Sequence, residues 1–174
     1  MTLCHRPVRR ALIIACLLAA GLPGLARAFP DRTIEWVVPY PAGGGTDVVA
    51  RVLAQEMSKT LGQPIIVNNK PGAATNIGAD YTARARADGH VLMSADTATL
   101  AANPFLYSKL GYNVEKDFAT VGLTVRFPLI LVVNPALPVR NLEELRGWAA
   151  GQKDIAYATP GAGSPHHLAT ELFR

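Results

Sequence analysis

Cysteine is almost missing from this chain: two thiols in 174 residues, Cys4 and Cys16, both within the first 28. The remaining 146 residues therefore have no means of forming a disulfide, a thiolate metal site or a cysteine nucleophile. Acidic residues are missing from the same first segment, which carries Arg6, Arg9, Arg10 and Arg27 but neither Asp nor Glu. The formal charge of +4 belongs entirely to those four arginines. Setting them aside leaves 13 basic residues against 13 acidic ones, a neutral body that excludes the basic footprint of a nucleic-acid-binding domain. A long apolar run is missing too. The longest, over residues 11–22, is about a dozen residues, whereas a helix needs roughly 20 to span a bilayer.

That short run explains itself by its flanks. Three arginines precede it, Pro23-Gly24 comes after it, and Ala26-Arg27-Ala28 supplies a small-x-small cleavage pattern. The arrangement is that of a secretory signal peptide over residues 1–28, with cleavage near Ala28-Phe29 and export to the periplasm expected. A retained anchor is disfavoured by length. Ile13-Ile14-Ala15-Cys16 imitates a lipoprotein box only loosely, because just five apolar residues lead into the cysteine.

From residue 34 onward, extended and helical patterns alternate. Residues 34–39 are β-branched and aromatic, and a glycine turn leads to Val48, Val49, Val52, Leu53, Met57 and Leu61 at helical spacing. Gly62 ends that helix. A strand over 64–69, a helix over 75–87 and a strand over 91–95 complete a β-α-β-α-β pattern, which calls for a parallel sheet covered by helices. Further strands are expected at 121–125, 128–134 and 155–158, with helices over 141–150 and from Ser164-Pro165 onward. Asn141 with Glu144 forms a capping-box pattern, and Ser164 precedes a proline suited to a first helical position. An apolar helical face begins at Leu168, Leu172 and Phe173 with no stop signal after it, so the chain reads as cut off.

The chemistry rests on glycine turns. Pro39-Tyr-Pro-Ala-Gly-Gly-Gly-Thr-Asp47 joins a strand to a helix, where small residues allow main-chain N–H groups to approach a ligand at the positive helix end. No lysine follows Gly45, so it is not a Walker loop, and Asp47-Val48 replace the second half of a dinucleotide fingerprint. A plain glycine-rich turn with Thr46 or Asp47 as cap is an equal reading of this loop alone. Pro71-Gly-Ala-Ala-Thr-Asn76 and Pro160-Gly-Ala-Gly-Ser-Pro165 have the same character, and Asp96-Thr97-Ala98-Thr99 adds hydroxyls. Loops after parallel strands gather on one edge, the usual ligand edge of an open sheet. Hydrogen bonds to a charged group contribute about 1.5–3 kcal/mol each, and micromolar affinity needs about 8 kcal/mol. A few main-chain and hydroxyl donors therefore suffice for a carboxylate, while a phosphate would ordinarily recruit Lys or Arg as well. Ser164, His166 and His167 make no triad, since neighbours on a helix do not face each other and Gly-x-Ser-x-Gly is absent. The two histidines project about 100° apart and make a poor metal pair.

Phe29-Pro-Asp-Arg-Thr-Ile34, Val38-Pro-Tyr-Pro-Ala-Gly-Gly-Gly-Thr-Asp47, Asn69-Lys-Pro-Gly-Ala73, Asn76-Ile-Gly78, Ala87-Asp-Gly-His-Val-Leu92, Asn103-Pro-Phe-Leu-Tyr107, Asp117-Phe118, Asn134-Pro135 and Tyr157-Ala-Thr-Pro-Gly-Ala-Gly-Ser-Pro-His-His-Leu168 occur in that order. Together they resemble the Bug family of periplasmic solute-binding proteins, the tripartite tricarboxylate transporter receptors. The resemblance implies a type II periplasmic binding-protein fold of two lobes closing on a small carboxylate. Residues 29–126 would form the first lobe, without its return strands, and 127–174 the start of the second. It implies first-lobe contacts from Tyr40, Ala42, Gly43, Thr46 and Asp47, with Thr75, Asn76 and Thr97 nearby. Second-lobe contacts would come from Gly161, Gly163, Ser164 and His167. Asp47 is expected to order its loop or a water rather than to meet the anion. No cofactor, no metal and no enzymatic activity are implied. The implied partners are membrane permease subunits or, alternatively, a sensor kinase, and the implied state is a monomer. Two departures stand out. The family usually reads Gly-Ala-Gly-Gly where this chain has Gly72-Ala-Ala-Thr75, a bulkier second loop. Members are also considerably longer, so this chain is expected to be an amino-terminal half, with a fragment unable to bind as the alternative.

Overall fold

The computed structural model describes residues 28–174. The segment expected to be a signal peptide lies, but for Ala28, outside the described residues, and with it both cysteines and the basic cluster. The chain divides into two compact units, residues 1–31 and 32–174, and the helices and strands of the described residues all belong to the second.

Three strands make one parallel sheet in the order β2-β1-β3. Strand β1, Ile34–Val38, is central, and its Ile-Glu-Trp-Val-Val run suits a position covered on both faces. Val37 and Val38 are fully buried and Trp36 nearly so. Strand β2, Ile65–Asn69, pairs with it on one side, placing Trp36 opposite Val67. Strand β3, Val91–Met93, pairs on the other, placing Trp36 opposite Leu92. The indole N–H of Trp36 donates to Ser94 Oγ at 2.9 Å, so the ring's one polar atom is satisfied inside the core.

Helix α1, Gly45–Leu61, crosses from β1 to β2. Ala50 and Ala54 face the sheet and are almost completely buried, and Leu53 and Met57 pack beside them against Trp36 and Val38. Gly62 stops the helix with φ of 69° and its N–H on the Ser58 carbonyl. A short 3₁₀ turn, Ala73–Thr75, precedes α2, Asn76–Ala83. Gly78 lets α2 press onto the end of β1, since a Cβ there would fall 2.9 Å from Pro39 Cβ. After β3 come a π-helical turn, Ala98–Ala102, and three further helices: α3, Asn103–Leu106; α4, Val114–Asp117; and α5, Leu142–Ala150. Helix α6, Pro165–Phe173, ends the described chain.

The α/β alternation, the three strands and the sheet's parallel sense match the expectation, with element ends moved by a residue or more; α2 is the largest change, ending at Ala83 instead of 87. Both expected cap residues cap their helices, although the return bond of the Asn141–Glu144 pair falls one residue before the N-cap. Asn141 Oδ1 accepts from the Glu144 N–H at 2.9 Å while Glu144 Oε2 accepts from Arg140 N–H at 2.7 Å, and Ser164 Oγ accepts from His167 N–H at 3.2 Å. The strands expected at 121–125, 128–134 and 155–158 do not form: none of these segments belongs to a ladder. The physical reason is that β-branched composition supplies propensity but not a partner, and a strand exists only through inter-strand hydrogen bonds.

Candidate functional site

Because all three strands run the same way, their carboxyl ends share one edge, and the loops that leave them form a rim. The first loop runs from Pro39 into α1. Gly44 is the N-cap and offers no side chain, and the first intrahelical bond is Val48 N–H to the Gly44 carbonyl at 3.0 Å. The amides of Gly45, Thr46 and Asp47 have no acceptor within reach among the described residues, as expected for the first turn of a helix. They carry the partial positive charge at the amino end of 17 aligned peptides.

A carboxylate beside those amides would oppose anion binding unless it were neutralised, and Asp47 is neutralised. It is 2% exposed. Its Oδ2 accepts from Gly43 N–H at 2.8 Å and Arg51 Nε at 3.0 Å, and its Oδ1 accepts from Asn69 Nδ2 at 2.9 Å and Arg51 Nη2 at 3.0 Å. Arg51, then the Gly43 amide, then Asn69, hold its carboxyl down from an ordinary 3.8 to about 2. Asn69 Nδ2 also reaches the Tyr40 carbonyl at 3.0 Å, so the end of β2 is tied to the turn after β1.

Tyr40 donates its hydroxyl to Asp96 Oδ2. Burial first, then that hydrogen bond and the Asp96 charge, push the phenol well above its usual range. Asp96 Oδ1 accepts from the Thr99 N–H at 3.0 Å, Thr99 Oγ1 lies 2.7 Å from Thr75 Oγ1, and a Cβ on Gly163 would stand 3.3 Å from Ala74 Cβ. One continuous chain of contacts therefore joins all four loops. Phe127 adds an aromatic wall: its ring would stand 3.6 Å from a Cβ at Gly45.

The expected contact residues divide by what their groups already do. Ala42 and Thr97 are exposed on the rim and Thr46 is half-buried, with no side-chain partner for either threonine among the described residues. Thr75 and Asn76 point inward into a hydrogen-bonded cluster with Thr99, Asn103 and Tyr112. The expectation of free amides needs correcting at three glycines. Gly43 N–H is bonded to Asp47, Gly163 N–H to His167 Nδ1 at 3.3 Å, and Gly161 N–H to Thr159 Oγ1 at 3.4 Å. Glycine permits such turns to curl back on a nearby side-chain acceptor, and here each has one. The open donors sit one step along, on Gly45, Thr46 and Asp47. Ser164 is buried as the cap of α6, and His167 accepts from Gly163 on Nδ1 while its Nε2 lies 3.9 Å from Glu171.

Arg51, Asn69, Asn103 and Tyr112 escaped the sequence reading. Arg51 follows Asp47 by one helical turn, a spacing that pairs opposite charges, and that signal was available. Nothing local marks the others. A groove of about 470 Å³ lies elsewhere, on the outer face of α2 beside Lys70, Tyr81 and Arg84. Its cations are occupied: Arg84 holds Asp80 at 2.8 Å and Lys70 lies 3.9 Å over the Tyr81 ring. No group of three or more His, Cys, Asp or Glu side chains among the described residues is arranged to hold a metal ion.

Residues 49–174 match the family model for the tripartite tricarboxylate transporter family receptor. The chain is 40% identical over 168 residues to Protein BugT of Bordetella pertussis, covering 94% of this chain and 52% of that one. Among solved structures, R. palustris Rpa4515 with adipate is 34% identical with a TM-score of 0.80, over 83% of this chain and 49% of that one. MatC (Rpa3494) from Rhodopseudomonas palustris with bound malate is 40% identical with a TM-score of 0.65, over 71% and 42%. The chain thus spans about half the length of the relatives it matches. The matched family is by its description one of transporter receptors, and its members are solute-binding proteins. With its α/β fold, its parallel sheet and a family model matched across most of its length, the chain belongs to the tripartite tricarboxylate transporter receptor family.

Proposed function

We propose that the chain is exported and captures a small carboxylate at the rim beside the start of α1, delivering it to membrane permease subunits of a tripartite tricarboxylate transporter. In this reading residues 29–126 build the first lobe and residues 127–174 begin the second. The observation that carries the reading is the row of three uncommitted amides on Gly45, Thr46 and Asp47, next to an Asp47 whose charge Arg51 cancels. Such a row donates to carboxylate oxygens without a cationic side chain. The carboxylates seen with Rpa4515 and MatC, adipate and malate, support the ligand class.

Gly45→Pro tests the donor role with little disturbance. Gly45 is the first helical residue, a position that favours proline, and Gly44 already has the extended φ of −75° and ψ of 166° that a proline after it requires. The substitution deletes one N–H and leaves the helix. Titration calorimetry with adipate and with malate is expected to give micromolar binding by the native chain. One lost hydrogen bond to a charged group, about 1.5–3 kcal/mol, weakens that binding roughly 10- to 100-fold. Gly45→Ala keeps the N–H, meets only the Phe127 ring at an ordinary 3.6 Å, and retains affinity. Equal affinity in the proline variant would remove these amides from the site.

A further inference from the structure

Three consecutive residues with side chains, Ala73, Ala74 and Thr75, have φ of 47°, 49° and 76°. Left-handed backbone crowds Cβ against the chain, and a non-glycine residue adopts it singly as a rule. A run of three persists only where surrounding contacts over-determine it. The contacts here converge on one side chain. Asn103, the first residue of α3, is 0% exposed. Its Nδ2 donates both hydrogens at 2.7 Å, one to the Ala74 carbonyl in the middle of the run and the other to Asn76 Oδ1 just beyond it. Asn76 Oδ1 is held in turn by the Tyr112 hydroxyl at 2.9 Å, and Thr75 Oγ1 is held by Thr99 Oγ1. The opposite end of the Asn103 amide, Oδ1, lies 3.7 Å from where a Cβ on Gly163 would stand. The same side chain therefore holds the strained turn and lies beside Gly163 of the third glycine loop.

We propose that Asn103 is a positioning residue: its amide clamps the Ala73–Thr75 turn in the left-handed conformation and so seats the second rim loop against Gly163. It touches no ligand and acts through the backbone it holds. Asn103, Asn76, Tyr112 and Thr75 meet one another as uncharged groups, and the conformational strain of the turn is the quantity that Asn103 opposes.

Glycine separates this role from ordinary core support, because glycine accepts positive φ without a Cβ penalty. The full chain carries three variants: Asn103→Leu, Ala73→Gly with Ala74→Gly, and all three changes together. The readout is the carbon-13 Cα and Cβ shifts of Thr75, which report its φ and ψ and which no substitution removes. Asn103→Leu is expected to move Thr75 away from left-handed shifts, and the added glycines are expected to return it. A side chain that merely filled the core would not be replaced by two glycines, which add backbone freedom and no packing. Unmoved Thr75 shifts in Asn103→Leu, or shifts that stay displaced once the glycines are present, overturn the clamp. If Asn103→Leu alone does not fold, the triple variant decides: native Thr75 shifts support the clamp and an unfolded chain overturns it. A second arm rests on the carboxylate reading. Adipate affinity is expected to fall about tenfold in Asn103→Leu, equivalent to about 1.4 kcal/mol, and to recover with the glycines. Absence of adipate binding by the native chain would count against the carboxylate reading alone, since the Thr75 shifts judge the clamp without ligand.

Discussion

At the scale of single residues, Asp47 carries the largest electrostatic consequence in the site. Four donors surround a carboxylate that is closed off from solvent, and its proton affinity is correspondingly low, near pH 2 against an ordinary 3.8. A group whose pKa is depressed by folding stabilises the folded state above its unfolded value, and that contribution disappears as pH falls through the folded one. Melting temperature is therefore expected to drop as pH is lowered from 3.8 toward about 2, through Asp47 and also through Asp88, which Arg32 and then the His90 amide hold at about 2. Asp47→Asn keeps an acceptor for Gly43 but cannot titrate, so its melting temperature should decline less over that interval. A decline as steep as in the native chain would assign the acid sensitivity elsewhere. At this scale the sequence was readable in part. The glycine loop announced a helix start with open donors, but composition could not tell which amides would be consumed locally, because that depends on Asp47 turning back to Gly43 four residues before it. The bulkier Gly72-Ala-Ala-Thr75 loop was visible as a departure, whereas its left-handed backbone required Asn103, which lies 29 residues beyond Ala74.

At the scale of elements, termination of α1 depends on one backbone conformation. Gly62 has φ of 69°, and a Cβ there would meet nothing within 4 Å, so Gly62→Ala isolates the cost of left-handed backbone from any clash. That cost is about 1 kcal/mol, to be seen as a lower denaturation midpoint at unchanged slope. No change would mean that α1 ends by relaxing into another cap. The elements that sequence reading found were those whose signals are local: the helical spacing of α1, the caps of α5 and α6, the β-branched run of β1. The short helices α3 and α4 and the π-helical turn before α3 were not found, since four or five residues hold too few periods to show a spacing. The later strands were expected and did not form, because pairing is a property of two segments and a pattern describes only one.

At the scale of the molecule, those unpaired segments set the behaviour in solution. Along residues 121–133 the apolar side chains stand outside any ladder, with Val121 88%, Ile130 77% and Val132 80% exposed. A soluble chain rarely leaves a contiguous apolar stretch uncovered, and a run of seven residues without charge that is rich in β-branched side chains is a template for pairing with another strand. Self-association of this chain at high concentration is the predicted outcome. Concentrating the purified chain should produce self-association by analytical ultracentrifugation and enhanced fluorescence of a dye that binds apolar surface. Ile130→Lys with Val132→Lys places two charges in the middle of the run. Both sites are mostly in water already, so the folded core around β1 and α1 loses no packing and its melting temperature should hold within a degree or two. Self-association and dye binding should both fall. If association persists undiminished in the double variant, the surface responsible lies outside residues 121–133, and the exposed face of α6, where Leu172 is 90% exposed, becomes the segment to charge next.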